Sequence, residues 1–406
     1  MNEMSSVPHV PPRSPSPLSS AKVSFSGDRS EFRGLVERGA GLELVTFGFY
    51  RFWLATDIRR HLWSHSSLDG DAPEYTGRAR ELLIGFLFAL AILVPIYLAY
   101  FLIGIEAERA KAFASFPLIL FFYLFGQFAI YRARRYRLTR TVWRGVRFWM
   151  DGSGWAYAAR AAGWTFLTSI TLGAALPWRE AALERYKMRH CYYGDLQGSF
   201  EGRETEFFKR GWKLWLAAIG LFLLVIPASA AKSILPPAAN SFIGLLMLVW
   251  VIALPFIYGA FKAIEWRWWI SGIRFGEVSF ESDLSGGALY GLYWKVIGWF
   301  LLILLLFVVY LITCFWWILG FSDMAHFAGR LQASLAIKGA MAVGYLGFIL
   351  ALNVVLRVYL LRDVWARVAA SATAFRLEAA ANVAAKGDLA SALGEGLAGG
   401  LDIVGF

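Results

Sequence analysis

The sequence has little of what chemistry usually works with. Its 406 residues include two cysteines and five histidines, and only 17% are charged, against about 25% in an average soluble domain. Cys191 is expected in a basic loop and Cys314 in an apolar run, so neither a disulfide framework nor a zinc site is supported. No glycine-rich loop follows a strand-like run, which leaves nucleotide binding without a phosphate cradle. No nucleophile–base pair stands out. Acids and histidines are missing from the middle of the long apolar runs, where coupled transporters keep them, and this lowers the expectation of a proton-driven pump. Residues 1–20 are rich in Pro and Ser without an apolar core region. They read as a disordered tail and not as a signal peptide.

What is abundant is apolar. Hydrophobic residues make up 58%, with 33 Phe and 18 Trp, and the mean hydropathy is +0.52. Six runs reach the roughly 20 residues that a helical span takes, near 82–105, 113–131, 212–231, 242–263, 294–318 and 335–361. The short links inside each pair carry few charges (Glu106, Glu108, Arg109, Lys111; Lys232; Asp323, Arg330), whereas 132–211 is strongly basic. The net charge of +11 therefore reads as topology rather than nucleic-acid binding, and the positive-inside rule places both termini and the 132–211 and 264–293 segments in the cytoplasm.

A motif occurs twice. Gly27, Thr46, Gly48, Trp53, Arg60, His65 and Gly77 recur, each 125 positions later, as Gly152, Thr171, Gly173, Trp178, Arg185, His190 and Gly202. A constant shift over about fifty residues reads as an internal repeat. The first copy, 30–53, carries too many charges to span, and its apolar residues fall on one helical face. It reads as an interfacial or re-entrant helix, and 161–178 is assigned likewise by analogy. Thr-x-Gly reads as a helix C-cap, with Gly48 and Gly173 free to take a left-handed conformation. Trp53 and Trp178 read as interface anchors.

The expected fold is an all-α polytopic membrane protein with about six transmembrane helices as three parallel hairpin repeats, with interfacial or re-entrant helices before the first two hairpins. The units are a disordered tail (1–24), repeat units at 25–131, 132–263 and a shortened 264–365, in which Phe280 stands for Tyr75 and Phe200, and a cytoplasmic helix with a Gly-rich tail (366–406).

Phe25-x-Gly27, Thr46-Phe47-Gly48-Phe49-Tyr50-x-x-Trp53, Leu68-Asp69-Gly70, Tyr75-x-Gly77, Trp143-Arg144-Gly145-Val146-Arg147-Phe148, Pro177-Trp178, Glu184-Arg185-Tyr186 and Tyr193-Gly194-Asp195 together resemble the YjgN-like family of bacterial inner-membrane proteins. The resemblance covers nearly everything after residue 24. One departure is His65-Ser66, where the family pattern has Asn-Thr. The resemblance implies a multi-pass inner-membrane protein and supplies no activity.

Asp57, His61 and His65 share a helix face at metal-binding spacing. The second copy keeps only the last of them, as Ala182, Tyr186 and His190, so a polar face is the simpler reading and neither metal nor cofactor is expected. Arg134, Arg135, Arg140, Arg144 and Arg147 are candidate contacts for anionic lipid headgroups, worth about 1 kcal/mol each near a membrane surface. Gln127, Asn353, Lys262, Lys295, Lys338 and Arg357 are the notable polar groups in or near the spans. The leading expectation is a non-enzymatic inner-membrane protein that moves or senses a small or lipid-like molecule between its units. A scaffold recruiting partners through the basic face comes second, and a lipid-acting enzyme third.

Overall fold

The computed structural model describes residues 20–109, 115–230, 236–319 and 335–390. The chain is not all-α. Ten short strands form one antiparallel sheet in the order β2-β1-β10-β9-β8-β7-β6-β5-β4-β3. Helical hairpins alternate with these strands in five β–α–α–β units. The first is β1 (Ser20–Phe25), α1 (Arg29–Val45), α2 (Arg51–Ser64) and β2 (Ser66–Leu68). The second is β3 (Glu74–Tyr75), α3 (Ala79–Arg109), α4 (Ser115–Thr139) and β4 (Thr141–Trp143). The third is β5 (Val146–Met150), α5 (Gly154–Ile170), α6 (Leu176–Arg189) and β6 (Cys191–Tyr193). The fourth is β7 (Leu196–Phe200), α7 (Glu204–Ala230), α8 (Pro237–Gly272) and β8 (Ile273–Phe275). The fifth is β9 (Val278–Ser282), α9 (Tyr290–Leu319), α10 (Leu335–Leu356) and β10 (Ala372–Phe375), with α10 continuing through a π-helical turn (Arg357–Asp363) into α11 (Val364–Ala370).

The two strands of every unit pair with each other, and tight turns join β4 to β5, β6 to β7 and β8 to β9. Arg144 and Gly145 both take positive φ (47° and 77°), as a two-residue hairpin with right-handed strand twist requires. With the tight turns at one end, the helical hairpins all leave the sheet from the other. The sheet curls until its edges nearly meet. Edge strands β2 and β3 are consecutive in the chain, Leu68 bridges to Asp71, and the β4 residue Trp143 donates its indole N–H to the Asp71 carbonyl at 3.2 Å. The helices close a ring as well. The second helix of each unit packs on the first helix of the next: α2 on α3, α4 on α5, α6 on α7, α8 on α9, and α10 back on α1.

The expected six-span, three-hairpin arrangement is thereby corrected. Among the described residues, four helices are long and apolar enough to cross a membrane by length and composition, over Ala79–Ile103, Asn240–Gly272, Tyr290–Cys314 and Ile337–Ala370. The apolar part of α4 ends where Arg132, Arg134, Arg135 and Arg137 begin, and α7 opens on Glu204, Glu206, Lys209, Arg210 and Lys213. At most 17% of any of the four apolar windows is buried inside the protein, so their hydrophobicity is not serving an internal core. The stretches read as single interfacial helices are helix–turn–helix hairpins: 30–53 lies on α1, its turn and the start of α2, and 161–178 on α5, its turn and the start of α6. The helix runs on past each even apolar run, to Thr139 in α4, Gly272 in α8 and Ala370 in α11, before β4, β8 and β10 begin. β1 starts at Ser20, inside the stretch expected as a tail, while residues 1–19, the links 110–114, 231–235 and 320–334, and residues 391–406 lie outside the described ones.

Two sequence patterns build the units. In the short hairpins, Thr46 Oγ1 donates to the Leu42 carbonyl (2.7 Å) and accepts from the Tyr50 N–H (2.9 Å). Thr171 does the same with Leu167 and Ala175 at 2.9 and 3.1 Å. One hydroxyl thus ties the end of the first helix to the residue that precedes the second. The next two residues are left-handed, Phe47 and Gly48 at φ 52° and 86°, Leu172 and Gly173 at 48° and 89°, which reverses the chain. At strand ends, an aromatic ring folds over the glycine two residues on. A Cβ on Gly27 would meet the Phe25 ring at 2.7 Å, one on Gly77 the Tyr75 ring at 2.5 Å, and one on Gly202 the Phe200 ring at 2.6 Å. Gly272 packs against the same ring, where its own Cβ would meet Phe200 at 2.5 Å, so two backbones confine the ring. Gly202→Ala is therefore expected to cost about 1–3 kcal/mol through overpacking, read as a lower midpoint of denaturant unfolding in detergent.

Candidate functional site

The second helices of all five units face one chamber of about 800 Å³. α2 contributes Arg51, Arg59 and Trp63; α4, Arg134 and Arg137; α6, Glu180, Glu184 and Lys187. From α8 come Lys262, Glu265, Trp266 and Trp269, and from α10 and its continuation Asn353, Arg357 and Trp365. Glu43 of α1 also lines it. The chamber lies on the axis of the ring and belongs to no single unit. Trp63 and Trp365 stack with centroids 5.3 Å apart, Trp63 donates to Thr141 Oγ1 (3.0 Å), and Trp365 donates to Ser66 Oγ (2.8 Å). That set joins the first, second and fifth units.

The lining holds seven basic side chains and four acidic ones. Every acid sits on a cation. Glu43 faces Arg357 at 3.0 Å, Glu184 is 3.6 Å from Arg134 and also binds Lys187, Glu265 is 2.6 Å from Lys262, and Glu180 pairs with Arg179. Burial alone would raise the Glu184 pKa, but Lys187 and Arg134 outweigh it and hold the carboxyl below its usual range. Glu180 is pushed upward, because its burial is only partly offset by Arg179 and Lys187. Arg51 has no such acid. Its guanidinium lies 5.0 Å from the Phe52 ring and 4.8 Å from the Phe86 ring, and among the described residues it makes no hydrogen bond. Burial lowers its pKa, with Glu43 opposing. The site is thus a half-buried cationic chamber with tryptophan walls.

Most of the residues singled out from sequence hold the ring together. Arg60 of α2 donates to the Gly77 carbonyl at 3.0 Å, Arg185 of α6 to the Gly202 carbonyl at 3.4 Å, and Arg362 to the Gly27 carbonyl. Each is a latch from one unit to the next. A Cβ on Gly152 would meet the Tyr131 hydroxyl, which itself donates to the Asp151 carbonyl at 2.6 Å. Trp53 stacks on Tyr50 and Trp178 packs on Phe208. Of the candidate lipid arginines, Arg140 pairs with Glu81 at 2.7 Å, Arg144 with Asp69 and Asp71 at 2.8 and 2.6 Å, and Arg147 binds the Thr139 carbonyl. Arg134 faces the chamber, and Arg135 has a buried Nε without a partner. Cys191 is buried in β6, not in a loop, and burial pushes its thiol up to about 11. Asn353, Lys262 and Arg357, noted as polar groups in or near apolar runs, all line the chamber. Arg51, Trp63, Glu180 and Glu265 escaped notice. Their signal was a charge or indole facing inward on a second helix, which cannot be recognised until the five helices are known to converge.

A ring of helical hairpins on a curled antiparallel sheet, with four helices among the described residues long and apolar enough to cross a membrane, fits a membrane protein. Residues 20–294 match the family model described as a bacterial protein of unknown function, DUF898. The chain belongs to that family, and the YjgN-like resemblance is to the same one. No curated protein and no solved structure matches it.

Proposed function

We propose that this chain is a multi-pass protein of the bacterial inner membrane, non-enzymatic, with both termini cytoplasmic, that holds an anionic amphiphile in the axial chamber in order to move or sense it. The observation that carries the reading is Arg51, a half-buried cation without a counter-carboxylate of its own in a chamber walled by Trp63, Trp266, Trp269 and Trp365. An anionic headgroup would complete the arginine, and an acyl or ring portion would lie against the indoles. The apolar helices and the exposed apolar tips of the short hairpins, Val45, Phe47 and Phe49 on one and Ile170 and Leu172 on the other, lie at the same end of the sheet. That supports a bilayer on that side, with the charged sheet in the cytoplasm. The equivalence of α1 with α5 and α2 with α6, each beginning and ending 125 residues apart, supports an internal duplication. The engagement of Arg134 and Arg140 by Glu184 and Glu81 weighs against their serving as a docking face for a protein partner.

The test is lipid retention. Native mass spectrometry of the purified protein, loaded with phosphatidylglycerol or with phosphatidylcholine of the same chains, is expected to show selective retention of the anionic lipid. Arg51→Ala is expected to weaken it about ten- to a hundredfold, the value of one charge-assisted hydrogen bond. Equal retention of both lipids, unchanged in the variant, would sink the proposal.

A further inference from the structure

We propose that Glu31, His61 and His65 form a binding site for a divalent transition-metal ion of the zinc type, at the junction of α1, the end of α2 and the turn at Gly27. One ligand atom from each side chain lies within 4.8 Å of the other two. Closing to the roughly 2.0–2.1 Å bonds of zinc to nitrogen and oxygen needs side-chain rotation of about an ångström, not movement of the helices. The site is independent of the chamber.

Three observations carry it. The first is orientation. His65 Nδ1 lies 2.7 Å from the His61 carbonyl, so it is the donor nitrogen and Nε2 keeps its lone pair. Ligating histidines are usually fixed in this way by a carbonyl on the other ring nitrogen. The Asp28 cap accepts from the Ser30 and Glu31 N–H groups at 2.8 and 3.1 Å and so fixes the backbone from which the Glu31 carboxylate extends. The second is an orphan. The His61 side chain is only 5% exposed, its Nδ1 is 3.8 Å from Glu31 Oε1, and its Nε2 is buried with no partner. A buried nitrogen with no partner calls for an explanation, and a bound ion supplies one.

The third is the place 125 residues on, where Ala156, Tyr186 and His190 stand instead. There His190 Nδ1 is 2.6 Å from Asp151 Oδ1, and the Tyr186 hydroxyl donates to the Ser153 carbonyl at 2.9 Å. That pocket satisfies itself, while the first leaves its nitrogen and carboxylate donors open. The nearby Arg362 opposes a cation, and the carboxylates of Asp28 and Glu31 offset it. Two imidazoles and a carboxylate form a borderline set that suits zinc and leaves a fourth position for water.

The experiment strips the detergent-purified protein with a chelator and titrates it with Zn²⁺ by calorimetry, with Co²⁺ as an absorption probe of tetrahedral coordination. One ion per chain is expected, bound at least tenfold more weakly by Glu31→Gln and by His65→Gln, with His190→Gln unchanged. His61→Gln is expected to abolish binding. If that variant does not fold, the two more exposed positions keep the test decisive. No binding by the stripped wild type, or wild-type affinity in both Glu31→Gln and His65→Gln, would overturn the site.

Discussion

Glu184→Ala is expected to destabilise the protein by about 3–5 kcal/mol, the usual cost of removing one partner from a buried ion cluster. Glu184 is almost fully buried on α6, with Lys187 on the same helix and Arg134 reaching across from α4. Removing the carboxylate leaves two cations facing each other in a chamber that already contains Arg51, Arg59 and Arg137. The loss is one of ion pairing more than of packed volume, so replacing Arg134 or Lys187 with methionine in the Glu184→Ala background should recover part of it. A double-mutant cycle on denaturant midpoints measures that coupling. No recovery would mean that the cluster contributes through volume alone.

The same cluster sets an acid limit. The folded pKa of Glu184 lies below its unfolded value because Lys187 and Arg134 prevail over burial. Its contribution is therefore complete above the unfolded carboxylate value and is lost as pH falls through the lower folded one. Glu180, one helical turn before Glu184 on α6, behaves in the opposite sense. Burial raises the Glu180 pKa, so its contribution is complete below the unfolded value and is lost as pH rises through the higher folded one. Glu184→Gln is expected to flatten the acid side of the stability profile, and Glu180→Gln the side above it.

How much of this is legible in the sequence depends on the kind of order involved. The 125-residue shift places Thr46 and Thr171, and Arg60 and Arg185, at corresponding positions, and Gly48 and Gly173 take the left-handed conformation expected after a helix end. The strands are not legible. β3 is two residues long and β2, β4, β6 and β8 are three, too short for an alternating pattern to appear. Their order is fixed by the helical hairpins between them and by rings such as Phe200 folded over Gly202, and these contacts are unknown until the units are placed side by side. The arginines after α4 look like a membrane-facing run. Arg140 and Arg144 instead meet Glu81, Asp69 and Asp71, more than 55 positions away in sequence, and no local reading pairs them. The chamber is hidden for the same reason, since it consists of one face from each of five helices.

Glu43→Ala is expected to move stability and binding in opposite directions. Glu43 lies near the C-terminal end of α1, where a negative charge is disfavoured by the helix dipole, and it is held there by Arg357 at 3.0 and 3.5 Å to its two oxygens. Both side chains are at most 16% exposed. Removing the carboxylate leaves Arg357 buried without its counter-charge, at a cost of about 3–5 kcal/mol. It also adds an uncompensated cation to a chamber that contains Arg51. If that chamber holds an anionic amphiphile, the destabilised variant should retain phosphatidylglycerol about tenfold more tightly, one further charge-assisted contact. Arg357→Met should also lose stability but should bind more weakly. A site that depends only on an intact fold would weaken in both variants, in step with their unfolding midpoints. Opposite signs for the two partners of one ion pair can arise only if the charge of the chamber, and not merely its shape, selects what it holds.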